Sequence, residues 1–159
     1  MNWTITRIDV AHPDAVAIMR EYMDEVASRY FGRPVTEAEL THYVAEAPGT
    51  DLVPPTGAFF VGRRDGEVAG CAGTRVVEPG ITELTKVFIK PAHRGTGGGP
   101  ALVAAAEEAA RGLGSALMRL DTRHDLVEAR ALYAKIGYDE VAPFNDGQFA
   151  EHWFAKALS

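Results

Sequence analysis

Cysteine is nearly absent: Cys71 stands alone in 159 residues, so no internal disulfide can form. It lies in an apolar stretch and reads as an inert buried thiol, not a nucleophile. His12, His42, His93, His124 and His152 show no metal-ligand spacing, and no metal is expected. No apolar run approaches the roughly 18–20 residues of a membrane helix, and the opening Met1-Asn2-Trp3-Thr4-Ile5 lacks the charged-then-apolar layout of a signal peptide. Basic residues are the minority, 16 Lys and Arg against 22 Asp and Glu, for a net charge of −6. That leaves no surplus to neutralise phosphates and argues against nucleic acid as a partner. No repeat, linker or low-complexity tract divides the chain. These absences predict one cytoplasmic domain over residues 1–159, with neither a membrane nor a nucleic-acid partner.

Periodicity supplies the elements. Asn2 to Asp9 alternates as an opening strand. His12-Pro13-Asp14 starts a helix whose apolar face is Ala15, Ile18, Met19, Tyr22, Met23 and Val26, ended by Tyr30 to Pro34. Thr36-Glu37-Ala38-Glu39 resembles a capping box and opens a short helix to Ala45. Ala58–Arg63 and Glu67–Val77 read as strands joined by an Asp65-Gly66 hairpin turn. A strand from Leu84 to Ile89 follows. A helix from Pro100 to Arg111 comes next, with Leu102, Ala106, Ala109 and Leu113 on one face, ended by Gly112 and Gly114. A strand from Ala116 to Thr122 leads to a helix with Leu126, Ala129, Tyr133 and Ile136 inside, stopped at Gly137. Asp125 is placed to cap it. Tyr138–Ala142 and His152–Leu158 close the chain as strands. The order β-α-α-β-β-β-α-β-α-β-β implies an α/β domain with helices on a mixed sheet.

The densest signal is Arg94-Gly95-Thr96-Gly97-Gly98-Gly99 between the Leu84–Ile89 strand and the next helix. A strand, a glycine turn and a helix N-terminus together hold phosphate, because unpaired amides and the helix dipole both face the anion. Arg94 adds a cationic fork. A P-loop is excluded, since no Lys-Ser or Lys-Thr follows the glycines. A dinucleotide fingerprint is disfavoured by Pro100, where Gly or Ala belongs. The loop instead resembles Arg/Gln-x-x-Gly-x-Gly/Ala, the acetyl-CoA loop of the GNAT superfamily of N-acetyltransferases. The similarity continues through Leu120-Asp121-Thr122 and Glu128-Ala129-Arg130-Ala131-Leu132-Tyr133-Ala134-Lys135-Ile136-Gly137-Tyr138, which looks like the family's later motif. It covers residues 58 to 158 well and the first third only in outline.

The resemblance implies the GNAT (acyl-CoA N-acyltransferase) fold, an α/β (α+β) architecture with a mixed, mostly antiparallel sheet flanked by helices. It implies an acyltransferase that moves an acetyl group from acetyl-CoA to an amine by direct attack in a ternary complex. Arg94, Gly95, Thr96, Gly97, Gly98 and Gly99 are then the pyrophosphate loop, and the strand Val87, Phe88, Ile89 pairs its backbone with the pantetheine arm. Strict alternation would place Glu83, Thr85, Val87 and Ile89 on one strand face and Leu84, Lys86 and Phe88 on the other. Two departures from the family, Gly98 for an aliphatic residue and Pro100 for a non-proline, predict a looser empty loop with one amide contact fewer.

An amine with pKa about 8–10 is mostly protonated at neutral pH, so a base must act. Glu83 matches a catalytic glutamate position, with an ordinary strand-end carboxylate facing solvent or paired with Lys86 or Arg75 as the plain alternative. Tyr133 matches the family tyrosine that contacts the CoA sulfur, with core packing as its alternative. Glu37, Glu39, Glu46 and Asp51 predict an acidic acceptor region suited to a cationic amine. A small-molecule or peptide amine, a protein N-terminus or lysine, and non-catalytic acyl-CoA sensing all stay open. Many family members are homodimers.

Overall fold

The computed structural model describes residues 2–159. Seven strands form one sheet: β1 (Trp3–Arg7), β2 (Gly57–Arg64), β3 (Glu67–Glu78), β4 (Ile81–Ile89), β5 (Leu117–Thr122), β6 (Asp139–Val141) and β7 (His152–Ala157). Their lateral order is β1-β2-β3-β4-β5-β7-β6. Every pair is antiparallel except β4 and β5. The helices are α1 (Pro13–Phe31), α2 (Glu37–Glu46), α3 (Gly98–Gly112) and α4 (Val127–Lys135).

Local chemistry explains most boundaries. His12 caps α1 and Pro13 occupies its first turn, while Gly32 ends it in the left-handed region (φ 68°). Thr36 and Glu39 complete the expected capping box of α2. Asp65 and Gly66 both take positive φ (53° and 85°), as a tight hairpin between twisted strands requires.

Two cores sit on opposite faces of the sheet. On one, Leu102, Val103, Ala106 and Ala110 of α3 and Tyr133 of α4 meet Ala58, Phe60, Ala72, Leu84, Met118 and Phe154. On the other, Ala15 and Ile18 of α1 meet Phe59, Val61, Cys71 and Phe88. Alternation along β2 and β3 feeds the two cores in turn. Cys71 is fully buried, and its Sγ lies 3.2 Å from the Lys86 carbonyl. Desolvation pushes its thiol well above the ordinary range, which fits an inert core residue.

Three local expectations are corrected. Helix α3 begins at Gly98, two residues before Pro100, so Pro100 sits within the first turn, where an amide is not used by the helix anyway. Leu113 is exposed (44%) just past the end of α3, and Val103 and Ala110 take the inner positions instead. Asp125 does not cap α4; Leu126 is the cap residue and makes no side-chain cap bond. Asp125 is instead forked by the buried Arg123 through two 2.8 Å bonds.

A buried polar cluster ties α3 to β7. Glu107 accepts from the Tyr138 hydroxyl (2.7 Å) and from Lys156 Nζ (3.1 Å). Burial, then this bond, raises the Tyr138 phenol far above its ordinary value; burial also raises Tyr22 to about 12. Above about pH 10 the unfolded chain loses phenolic protons that the folded chain keeps, so stability falls as pH rises. Thermal melts should be flat up to about pH 9.5 and decline beyond it; a midpoint rising through that range would contradict the assignment.

Candidate active site

The site begins where β4 and β5 part. These parallel strands pair only over Ile81–Glu83 and Leu117–Arg119 and then diverge. The β5-facing edge of β4 from Leu84 onward is left without a strand partner, an arrangement that an amide-rich chain can complete as an added strand. The gap opens into a cleft of about 540 Å³, lined on one side by Glu83 to Ile89 and on the other by α4 residues including Ala129, Leu132 and Tyr133. Arg94, Gly95 and Gly97 to Pro100 close one end, and Tyr22, Glu25 and Val26 of α1 lie over it.

The strand does not follow strict alternation. Cys71 pairs with Phe88 but Gly73 pairs with Thr85, so β4 carries one more residue than β3 across this interval. The extra residue is a bulge at Lys86, whose φ is 54°. Beyond the bulge the faces exchange. Val87 and Ile89 join Leu84 against the α3–α4 core, while Phe88 turns to the α1 side. The predicted shared face for Glu83, Thr85, Val87 and Ile89 is therefore corrected.

The loop is shaped for an anion. Gly97 precedes α3 in the left-handed region (φ 96°), and a side chain there or at Gly95 would meet no protein atom within 4 Å. Gly98 and Gly99, the first residues of α3, line the cleft and carry no side chains of their own to cover the helix's first-turn amides. Thr96 is placed differently. Its hydroxyl donates to the His93 carbonyl (2.6 Å) and accepts from Trp3 Nε1 (3.0 Å), which fastens the loop to β1. Gly98 has a packing cause too: a Cβ there would sit 2.3 Å from the Trp3 ring. The missing aliphatic side chain is replaced by an indole from β1, so the loop is pinned and not looser as expected. Arg94 donates to the Ile89 carbonyl (3.0 Å) and to Glu25 (2.6 Å), which occupies one of the β4 groups expected for pantetheine.

Glu83 and Tyr133 both line the cleft. Glu83 is little exposed (13%), with Arg75 at 3.0 Å from one oxygen and Arg119 at 3.5 Å from the other. These three residues stand opposite one another across β3, β4 and β5. Of its plain alternatives, pairing with Arg75 is realised, while pairing with Lys86 and a solvent-facing carboxylate are not. Tyr133 is buried (6%) and packs against Tyr138 and Phe154. Burial, then the nearby Tyr22 and Asp121, raises its phenol well above the ordinary range, so it stays protonated at any physiological pH.

Tyr22, Glu25 and Lys86 were not expected in the site. Tyr22 and Val26 follow the helical spacing of core positions, and nothing in their pattern separates a cleft wall from a core wall. The predicted acidic acceptor region is also absent from the cleft lining. Glu37 pairs with Arg20, Glu39 with Arg33, Glu46 with His42 and Asp51 with Arg75. Arg33 and the capping bonds hold the Glu39 carboxyl down at about 2, as a satisfied pair would.

Comparison with known proteins bears on the same residues. The sequence model of the acetyltransferase (GNAT) family matches residues 18–138, a span that includes the splayed strand, the loop and Tyr133. The chain belongs to the GNAT family. An IAA acetyltransferase of Azospirillum brasilense is 33% identical over 144 residues, covering 90% of this chain and 88% of that protein. A structure from Klebsiella pneumoniae described as an acyl-CoA N-acyltransferase superposes with a TM-score of 0.73 at 27% identity, over 99% of this chain and 98% of that one. The PaiA N-acetyltransferase of Thermoplasma acidophilum, solved with coenzyme A, shares the fold with a TM-score of 0.75 at 16% identity, over 99% of each chain. This GNAT protein is thus an acyltransferase with the expected α/β fold. Among the described residues no helix is long and apolar enough to cross a membrane, and no group of three or more His, Cys, Asp or Glu side chains could hold a metal.

Proposed function

We propose that this GNAT enzyme moves an acetyl group from acetyl-CoA to a primary amine of a small molecule or peptide, by direct attack within a ternary complex. The parting of β4 from β5 carries the reading, because it joins a free strand edge, a phosphate-type loop and a protonated tyrosine in one cleft. Acetyl-CoA fits those parts: the uncovered amides of Gly95 to Gly99 suit its pyrophosphate, and the β4 edge near Val87, Phe88 and Ile89 suits its amide arm. Bound there, it supplies an activated acyl carbon.

The chain's own groups do the rest. Arg94 exchanges Glu25 for phosphate. An amide of β4 near Val87 polarises the thioester carbonyl. Tyr133 donates its proton toward the leaving sulfur. Glu83 orients the amine and takes its proton through water, since a guanidinium stands beside each of its oxygens. The same reading makes the protein a cytoplasmic single domain, metal-free, without a nucleic-acid or membrane partner, and open to pairing as a homodimer.

Calorimetric titration with acetyl-CoA tests it. Micromolar binding is expected for the native protein, with affinity lowered about 100-fold or more by Arg94→Glu and by Gly97→Glu. Folded protein that binds no acetyl-CoA would overturn the proposal.

A further inference from the structure

We propose that the acceptor is an amine that also carries a carboxylate, an amino acid in the simplest case, and that Lys86 is the residue that holds the carboxylate. This deepens the acetyltransferase reading and rests on it.

The bulge in β4 places Lys86 outside the strand's alternation, in a backbone conformation that L side chains seldom adopt. Its side chain runs toward α1 and α2, with Cε near Gly49 and the ammonium 5.7 Å from the centre of the Tyr22 ring. That is the side of the sheet opposite α3 and the α3–α4 core. Lys86 nevertheless lines the cleft, together with Tyr22, Thr85 and Glu83. The ammonium donates to one protein acceptor, the Ala47 carbonyl at 2.9 Å. It has three donors to satisfy.

The carboxylates that might neutralise Lys86 are engaged elsewhere. Asp51, whose field it feels, pairs with Arg75 at 3.0 Å. Glu83 stands between Arg75 and Arg119. Asp121, across the cleft, accepts from Asn145 at 2.9 Å. Glu21 pairs with Lys90 at 3.2 Å. Lys86 is therefore a half-buried cation at the cleft without a carboxylate of its own, and partial desolvation shifts it toward the neutral form. An ammonium whose one protein acceptor is a neutral carbonyl has donors left over, and a ligand carboxylate would accept from them in a charge-assisted bond. The cofactor's phosphates do not supply the anion, because the glycine loop and Arg94 lie beyond the C-terminal end of β4. Glu83, which the proposed function assigns to the amine, lines the same cleft three residues before Lys86, so the lining offers a group for each end of such a molecule.

The test measures free thiol released from acetyl-CoA with the standard L-amino acids and with their C-terminal amides. At least one amino acid should be used with a kcat/KM about tenfold or more above that of its amide. In Lys86→Met that preference should shrink about tenfold, through a higher KM for the acid, and Lys86→Arg should retain part of it. Calorimetry should find acetyl-CoA affinity in Lys86→Met within about twofold of native. Amides used as well as acids, no amino acid used by protein that binds acetyl-CoA, or acetyl-CoA affinity lost along with acceptor affinity would each overturn the inference. Failure of native protein to bind acetyl-CoA would instead strike the acetyltransferase reading itself.

Discussion

Gly98→Leu should lower stability by about 3 kcal/mol, a fall of roughly 10 °C in the melting midpoint. The family resemblance implies an aliphatic residue at this position, so the change would look restorative from the sequence. The structure makes it an overpacking substitution. Gly98 is buried in the first turn of α3, and a Cβ there would lie 2.3, 2.5 and 2.6 Å from three atoms of the Trp3 ring. The ring cannot easily withdraw. Gly62 lies against the same indole, where a Cβ would sit 2.8 Å from it, and Thr96 holds its Nε1 at 3.0 Å. The backbone of Gly98 is helical, so conformational strain contributes nothing, and the loss is steric. Combining Trp3→Ala with Gly98→Leu should recover at least half of it, a coupling a double-mutant cycle would read directly. Equal losses that simply add would show that Trp3 and Gly98 are not a matched pair.

That pair also shows where sequence reasoning stopped. The glycine loop, the hairpin at Asp65-Gly66 and the Thr36 capping box were legible because each is local: a few residues carry both the signal and its cause. The order of strands and helices was legible from periodicity; the cofactor strand was implied by the family resemblance, and the parting of β4 from β5 appears only in the structure. The Trp3–Gly98 contact joins residues far apart in the chain, and an isolated glycine does not announce what fills its place. The bulge at Lys86 was illegible for a similar reason. No glycine or asparagine marks it, and the extra residue appears only when β4 is laid against β3. Because side chains alternate along a strand, that one residue exchanged the faces of Val87, Phe88 and Ile89. The acidic composition of residues 37–51 misled in another way. Charge counted along the chain ignored Arg20, Arg33 and Arg75, which lie outside that stretch, and His42, one helical turn from Glu46 within it.

Tyr133→Phe should lower kcat by about 100-fold while leaving acetyl-CoA affinity within about threefold of native. The substitution keeps the ring that packs against Tyr138 and Phe154 and removes only the hydroxyl, so a core role alone would leave kcat nearly intact. The proton on that hydroxyl is the quantity at stake. Burial raises the phenol's pKa, so the native enzyme retains the proton donor as pH rises, while the acceptor amine becomes increasingly neutral. The native pH profile should therefore climb from neutral toward about pH 9 with no descending limb before about pH 10. Glu83→Gln should separate from it kinetically. Removing the charge between Arg75 and Arg119 weakens the hold on the amine, so the acceptor KM should rise as kcat falls about tenfold. If Tyr133→Phe changed only thermal stability, the tyrosine would be a packing residue and the leaving thiolate would take its proton from solvent. If it lowered kcat with KM unchanged while Glu83→Gln altered both, the two side chains would act on opposite ends of one transfer: the phenol at sulfur and the carboxylate at nitrogen.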